Sequence, residues 1–284
     1  MDTDTNRGDG NSALRANQAM QRMAARLLGA NTPRVVIDET DIAFRMLEAA
    51  SRPGTMIDVG AHVGGSLGPF LLHGWTVHAF EPDAVNRQNL RRIETRFRTA
   101  LHVDSRAVSD VDGREAPFYR SDESTGISGL SAFRDTHAEV GTVTTVTLAS
   151  YMAERAVDNV DFLKIDTEGF DLMALRGYPW DRSTPRVIVC EFEDAKTRPL
   201  GYGYHDLAGF LVARGYRLIV SEWRPIVRYG VEHRWRRFAE YPRELTEPAA
   251  WGNLIAVSDE TMYRAGLAHC RDLETRYHLW EASS

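Results

Sequence analysis

The chain has 284 residues, enough to bury the core of one large α/β domain or two small ones, and its 43% hydrophobic and 26% charged composition is that of a soluble globular protein. A formal net charge of -6 argues against a nucleic-acid substrate, which needs a concentrated positive face. The opening residues lack the basic and apolar regions of a secretory signal, no apolar run approaches a membrane span, and 2 distant cysteines outline no disulfide or zinc framework, so a cytoplasmic protein is expected.

In chain order, residues 1–12 have the composition of a disordered tail. Apolar spacing then predicts a helix over 13–28, stopped by Gly29, and a second over 40–50, broken by Pro53-Gly54. Residues 1–50 thus read as a tail and a helical cap that could cover a site, and 51–284 as one main domain. Strands are expected near 56–59, 77–80, 101–103, 162–165, 187–192, 216–220 and 254–257, and helices over 67–72, 83–96, 170–175 and 206–214. This alternation predicts an α/β fold with a mainly parallel sheet covered by helices on both faces. A β-type insertion is expected over about 111–147, with a Ser/Gly-rich loop at 121–131. Cys190 falls in an apolar strand and reads as a small core residue, and Arg224, Arg228, Arg234, Arg236 and Arg237 read as a solvated face or a contact for an anionic group.

The stretch from Met56 through Asp58 to Gly60-Ala61-His62-Val63-Gly64-Gly65, followed by Ala79-Phe80-Glu81-Pro82, carries the functional signal. Two apolar strands each end at an acid, and glycines let the first turn sharply so that backbone can approach a ligand. Glu81 lies 23 residues beyond Asp58, the usual distance for a carboxylate that binds both hydroxyls of a ribose. A dinucleotide fingerprint would need glycine where His62 stands, and Asp58 would repel a diphosphate. S-adenosylmethionine, an adenosine carrying a sulfonium and an ammonium but no phosphate, fits better. The alternatives are a nicotinamide-dependent oxidoreductase and a non-catalytic nucleoside-binding protein.

Five blocks resemble the FkbM-type methyltransferases: IDVGAHVGGS from Ile57, HAFEPDAVNRQNL from His78, RAVSDVDG from Arg106, VDFLKIDTEGFDLMALRG from Val160, and PRVIVCEF from Pro185. The resemblance covers roughly residues 57–257; His62 stands where the family more often has Asn, and Ala149 where an acid often follows. It implies a Rossmann-like class I methyltransferase with a seven-stranded sheet that methylates a hydroxyl of a sugar, glycolipid or polyketide-like natural product, using S-adenosylmethionine. The partner implied is a small-molecule or glycan hydroxyl acceptor, with no nucleic acid and no membrane span; a homodimer is one option for assembly. Cofactor positions under this reading are Asp58, Gly60, Ala61, His62 and Gly64, then Glu81 and Pro82, then Ser105 and Arg106 after the third strand, and Asp166.

An alcohol attacks a sulfonium methyl only as its proton is taken, so a carboxylate, a histidine or a metal must sit within reach. Asp166 and Glu168 follow one strand and Glu191 and Glu193 end the next, so Asp166, Glu168 and Glu191 are the candidate catalytic group. They could act as base or hydrogen-bond acceptors, or hold Mg²⁺; helix capping is the structural alternative for Asp166 and Glu168. Lys164, in an apolar strand, needs an acidic partner, and Glu191 is the first candidate. His205 and the Tyr202-Gly203-Tyr204 run suit a substrate lid, and Trp180, Trp223 and Trp235 suit either packing or stacking on a sugar.

Overall fold

The computed structural model describes residues 34–48, 52–229 and 233–283; residues 39–267 form one compact unit, and 34–38 and 268–283 fall in a second. The helix expected over 13–28 lies outside the described residues. The larger unit is built on an eight-stranded sheet in the order β10-β9-β11-β8-β7-β1-β2-β3. Its strands are β1 Thr55–Val59, β2 Thr76–Phe80, β3 Leu101–Asp104, β7 Phe162–Ile165, β8 Val187–Glu193, β9 Arg217–Trp223, β10 Trp235–Glu240 and β11 Trp251–Val257. From β3 to β8 all neighbours run parallel, and β8-β11, β11-β9 and β9-β10 are antiparallel. Between them, β4 Ala107–Val108, β5 Glu115–Ser121 and β6 His137–Val146 make a separate three-stranded sheet in the order β4-β6-β5.

The parallel strands are apolar on both sides: Ile57, Val77, Leu163 and Ile188 are all fully buried. Such strands need helices over them, because each leaves the sheet at one end and must return at the other. The returning helices are α2 Gly68–Leu72, α3 Ala84–Arg96, α4 Leu148–Glu154, α5 Asp171–Arg176, the short α6 Asp194–Thr197, and α7 Tyr204–Val212. Asp83 starts α3 by accepting the N–H groups of Val85 and Asn86, and Thr147 starts α4 by accepting that of Ser150. Helix α1 Glu39–Glu48 precedes the sheet and packs against β8, β11 and α2. The long helix α8 Glu260–Ser283 ends the chain's described part.

The mainly parallel sheet is present, with two departures from the expected pattern. The sheet has eight strands rather than seven, because β10 adds to the antiparallel edge. This strand hides inside the Arg-rich text: Trp235 and Phe238 are buried, while Arg236 and Arg237 turn to Glu222 of β9, which is fully buried. Arg237 meets that carboxylate at 2.7 Å, so part of the supposed solvated basic face is the counter-charge of an interior acid. The second concerns α1, none of whose residues lines the cleft at the strand ends. Its Glu39 carboxylate accepts Ser221 Oγ at 2.5 Å and Trp223 Nε1 at 2.8 Å, and so locks the helix to β9.

Gly252 shows how tightly the antiparallel half is closed. A Cβ there would lie 1.9 Å from the carbonyl oxygen of Ser221 on β9, so no side chain fits without parting two strands. Gly252→Ala is expected to cost about 3 kcal/mol, from overpacking against backbone that cannot move aside. Urea denaturation of the purified variant checks this; a cost under about 1 kcal/mol would mean that β9 and β11 can separate freely.

Candidate functional site

Strand order reverses between β1 and β7, since the chain moves from β1 outward to β2 and β3, and from β7 outward to β8. Ligands of open α/β sheets bind at the carboxyl ends of strands beside such a switch point. Here β1 is tied to both neighbours at its end: Asp166 N–H, after β7, donates to Val59 O at 2.9 Å, and Gly60 N–H donates to Phe80 O of β2 at 3.0 Å. Gly60 has φ 83°, and a Cβ on it would fall 1.8 Å from the Asp166 carbonyl oxygen. Only glycine lets β1 turn this close to β7.

The turn opens a cleft with about 790 Å³ of space between its walls, open solvent included. Val59, Phe80, Val108, Phe118, Leu130 and Phe170 supply apolar walls, and His62, Glu81, Asn86, Thr125, Asp166 and Thr167 supply polar groups. Glu81, at the end of β2, is buried and accepts the N–H of His62 at 2.7 Å and of Asp83 at 2.8 Å. It therefore holds the glycine turn in place, with acceptor capacity left for a ligand hydroxyl. Burial pushes its carboxyl up to about 7, against those two N–H bonds.

The insertion supplies the opposite wall. Thr125 Oγ1 meets His62 Nε2 at 3.0 Å, and Thr125 O accepts Asn86 Nδ2 at 3.3 Å, so the loop 122–131 is tied to both the glycine turn and α3. Arg120 of β5 grips Asp83 with two bonds, of 2.7 and 2.9 Å, which anchors the insertion to the first turn of α3. Burial lowers the pKa of His62, against the pull of Asp166 and Asp83, and so disfavours its charged form.

Two lysines organise the acids. Lys164 lies 3.4 Å from Asp58 and 3.3 Å from Asp166, which corrects the expected pairing with Glu191. The reason is register: in the parallel pair, Lys164 stands directly beside Asp58. Burial alone would lower the Lys164 pKa, but the two aspartates outweigh it and raise it. The partner of Glu191 is Lys196 of α6, a residue that sequence reasoning missed. Lys196 Nζ is 2.5 Å from Glu168, 2.8 Å from Glu193 and 3.0 Å from Glu191, and only 2% of its surface is exposed. Burial pushes Glu168 up to about 7, against the pull of Lys196. Asp166, Glu168 and Glu191 each present an oxygen within 4.8 Å of the others.

Asp171 is the other missed residue. Its buried carboxylate accepts Thr167 Oγ1 at 2.8 Å and the N–H of Glu191 at 3.1 Å, so it fixes the turn after β7 against β8. The local signal was an acid five residues beyond Asp166 at the start of α5. Because α5 begins only at Asp171, neither Asp166 nor Glu168 caps it.

Of the positions singled out in sequence, Gly60, His62, Glu81, Pro82 and Asp166 line the cleft. Asp58, Ala61, Gly64, Ser105 and Arg106 do not. Asp58 is fully buried beneath the turn, bonded to Ser66 Oγ and Lys164, and Arg106 faces away to Asp104 and Glu154, each at 2.8 Å. After the third strand, it is Ala107 and Val108 that reach the cleft. Tyr202 and Tyr204 are buried packing residues rather than a lid, with Tyr202 Oη donating to Gly169 O at 2.7 Å. His205 lies beside Glu244 at 3.2 Å; Trp235 is core, and the Trp180 indole donates to Leu175 O.

A switch-point cleft on the strand order β3-β2-β1-β7-β8-β11-β9, with an acid ending β2, is a nucleoside-binding arrangement, and the family match makes its owner an S-adenosylmethionine-dependent methyltransferase. Residues 58–218 match the Methyltransferase FkbM domain, and the chain belongs to that family. It is 35% identical over 188 residues to the 31-O-demethyl-FK506 methyltransferase FkbM of Streptomyces tacrolimicus, covering 55% of this chain and 72% of that protein. Similar solved structures include a precorrin-6y C5,15-methyltransferase from Geobacter metallireducens, at 11% identity and TM-score 0.39 over 80% of this chain and 94% of that one. Another is the 1,6-didemethyltoxoflavin-N1-methyltransferase of Burkholderia thailandensis with bound S-adenosylhomocysteine, at 14% identity and TM-score 0.38 over 91% of this chain and 94% of that one. The family assignment sets aside the nicotinamide-dependent oxidoreductase. Among the described residues, no helix is long and apolar enough to cross a membrane.

The raised carboxyl of Glu81 has a consequence for stability. The folded state holds this proton up to about pH 7 while the unfolded chain releases it near its ordinary 4.5, so its contribution falls as pH rises through that window. In Glu81→Gln that dependence disappears. Measured by urea denaturation of ligand-free protein, the stability of wild type relative to the variant should fall by on the order of 2 kcal/mol between pH 5 and 7.5. A constant difference would show that Glu81 ionises normally.

Proposed function

We propose that this enzyme moves the methyl group of S-adenosylmethionine to a hydroxyl oxygen of a small molecule or glycan. The observation that carries the reading is the placement of two carboxylates on one cleft: Glu81 buried at the end of β2 and Asp166 half-exposed at the end of β7. The name of the relative, a 31-O-demethyl-FK506 methyltransferase, describes transfer to an oxygen and supports a polyketide-like or sugar-like hydroxyl as the acceptor.

The residues fit the cofactor. Glu81 keeps acceptor capacity for a ribose hydroxyl, the apolar residues Phe80, Val108 and Phe118 suit a flat base, and bare backbone at Gly60 allows close approach. When bound, S-adenosylmethionine supplies an electrophilic methyl carbon on a cationic sulfur. The chain's task is then alignment and proton removal.

Asp166 is the carboxylate that borders the cleft, and Lys164 fixes it at 3.3 Å. It receives the hydrogen bond of the acceptor hydroxyl and holds that oxygen in line for attack. With the cofactor bound, the hydroxyl proton would pass to Asp166, the member of the Asp166, Glu168 and Glu191 cluster that lines the cleft. The loop 122–131 and His62 wall the cleft against water on the other side.

These roles separate in two variants. Glu81→Ala should weaken S-adenosylhomocysteine binding by about 10–100-fold, as ribose bonds are lost and the glycine turn loosens. Asp166→Asn should leave that affinity within about threefold while lowering kcat by about 10²–10⁴-fold. Calorimetric titration with S-adenosylhomocysteine, and turnover with a hydroxylated acceptor, read the two effects. Equal loss of binding in both variants would sink this division of roles.

A further inference from the structure

Where sequence suggested a Mg²⁺ site, the chain already has a cation of its own. We propose that Lys196 is a tethered counter-ion that takes the place of a divalent metal at the Asp166, Glu168 and Glu191 cluster, so that methyl transfer runs without metal and loss of Lys196 opens a metal site. The inference rests on the proposed function for its link to methyl transfer, and on geometry alone for its link to metal.

The geometry is a match of donors to acceptors. A lysine ammonium has three N–H donors and no acceptor. Lys196 Nζ lies among three glutamates, with ion-pair distances of 2.5 Å to Glu168, 2.8 Å to Glu193 and 3.0 Å to Glu191, and it donates hydrogen bonds to both oxygens of Glu191, at 3.2 and 3.0 Å. These are ammonium-to-oxygen distances, whereas Mg²⁺ draws its oxygens to about 2.0–2.1 Å. With the ammonium beside two of the three clustered acids, a dication would meet both a filled space and a like charge.

The surroundings hold the ammonium there. Lys196 sits in α6, directly after β8, so that its side chain returns over the acids that end that strand. Gly169 faces its backbone and stem: a Cβ at Gly169 would lie 3.3 Å from Lys196 Cβ, and its φ of 107° suits glycine alone. The Phe133 ring lies 5.4 Å from Nζ and covers it with a face that favours a cation. Burying an ammonium among carboxyl groups is costly to assemble, and removing it would leave Glu168, Glu191 and Glu193 without the cation they share.

The test uses the full chain, Mn²⁺ as the metal probe, and the variant Lys196→Ala. Wild type should keep its turnover within about twofold after EDTA treatment and show no Mn²⁺ binding by electron paramagnetic resonance. Lys196→Ala should lose turnover by about 100-fold or more, and regain part of it with added methylamine, which a packing defect would not allow. It should also bind Mn²⁺ at least about tenfold more tightly than wild type, with a rise in Tm on Mn²⁺ addition. Loss of wild-type turnover in EDTA with recovery in Mg²⁺, or Mn²⁺ binding to wild type that Lys196→Ala does not exceed, would overturn the proposal. If Lys196→Ala does not fold, the EDTA and Mn²⁺ measurements on wild type still decide it. Absence of methyl transfer under every condition would count against the proposed function, and the Mn²⁺ titrations would still read the cation site.

Discussion

The ammonium of Lys164 between Asp58 and Asp166 is the interaction on which the site depends. Lys164 stands beside Asp58 in the parallel β1–β7 pair and Asp166 follows it by two residues, so the ammonium reaches both acids, and without it the two charges would repel at the point where the sheet must stay closed. With Lys164 in place, Asp58 serves as a foundation below the glycine turn and Asp166 is fixed at the cleft wall. The Gly60 turn then fits against the Asp166 carbonyl, and the Glu81 carboxylate can close over the N–H of His62. A break at Lys164 would thus be felt in the cleft before it was felt in the core.

The acids around the cleft divide into three kinds by what surrounds them. Asp83 is fully ionised: burial would raise it, but Arg120 and the first turn of α3 lower it below its ordinary value. Glu81 and Glu168 are each pushed up to about 7 by burial, so they can gain or lose a proton near neutral pH. Asp166 borders the cleft and has water on one side. One strand-end region therefore offers a fixed charge for anchoring the insertion, groups poised to titrate, and an accessible carboxylate for contact with a substrate. Nothing but burial and the choice of partner distinguishes these side chains.

Much of this was legible in the sequence because it is local. The glycine turn, the acid ending β2, and the apolar strands of the parallel half each announce themselves within a few residues, and Phe162–Ile165 is a strand at the expected bounds. What stayed hidden is set by contacts between distant segments. Lys196 is one more cation in a polar stretch until β8 places it over Glu168, and Arg237 looks like surface until β10 lays it against Glu222. The same holds for Asp58, which seemed to face a ligand because the strand ends there. Only the register with Lys164 shows that it points into the protein and supports the site from beneath.

Backbone strain gives a further link between these charges and the cleft. His62 and Glu168 both adopt left-handed conformations, with φ of 49° and 55°, which disfavour residues with a Cβ and cost roughly 1–3 kcal/mol each. Each is held by one strong polar contact: the His62 N–H by the Glu81 carboxylate at 2.7 Å, and the Glu168 side chain by Lys196 at 2.5 Å. The two strained turns border the same cleft from β1 and from β7, and each is secured by a group whose charge responds to pH near neutrality or to burial. Ligand binding that orders the Glu81 carboxylate would thereby stabilise the His62 turn, and with it the Thr125 contact that carries the insertion loop. The carboxylate proposed to meet a ribose is the same one that holds the turn to which the loop is bonded, so ligand contact and loop placement would depend on one group.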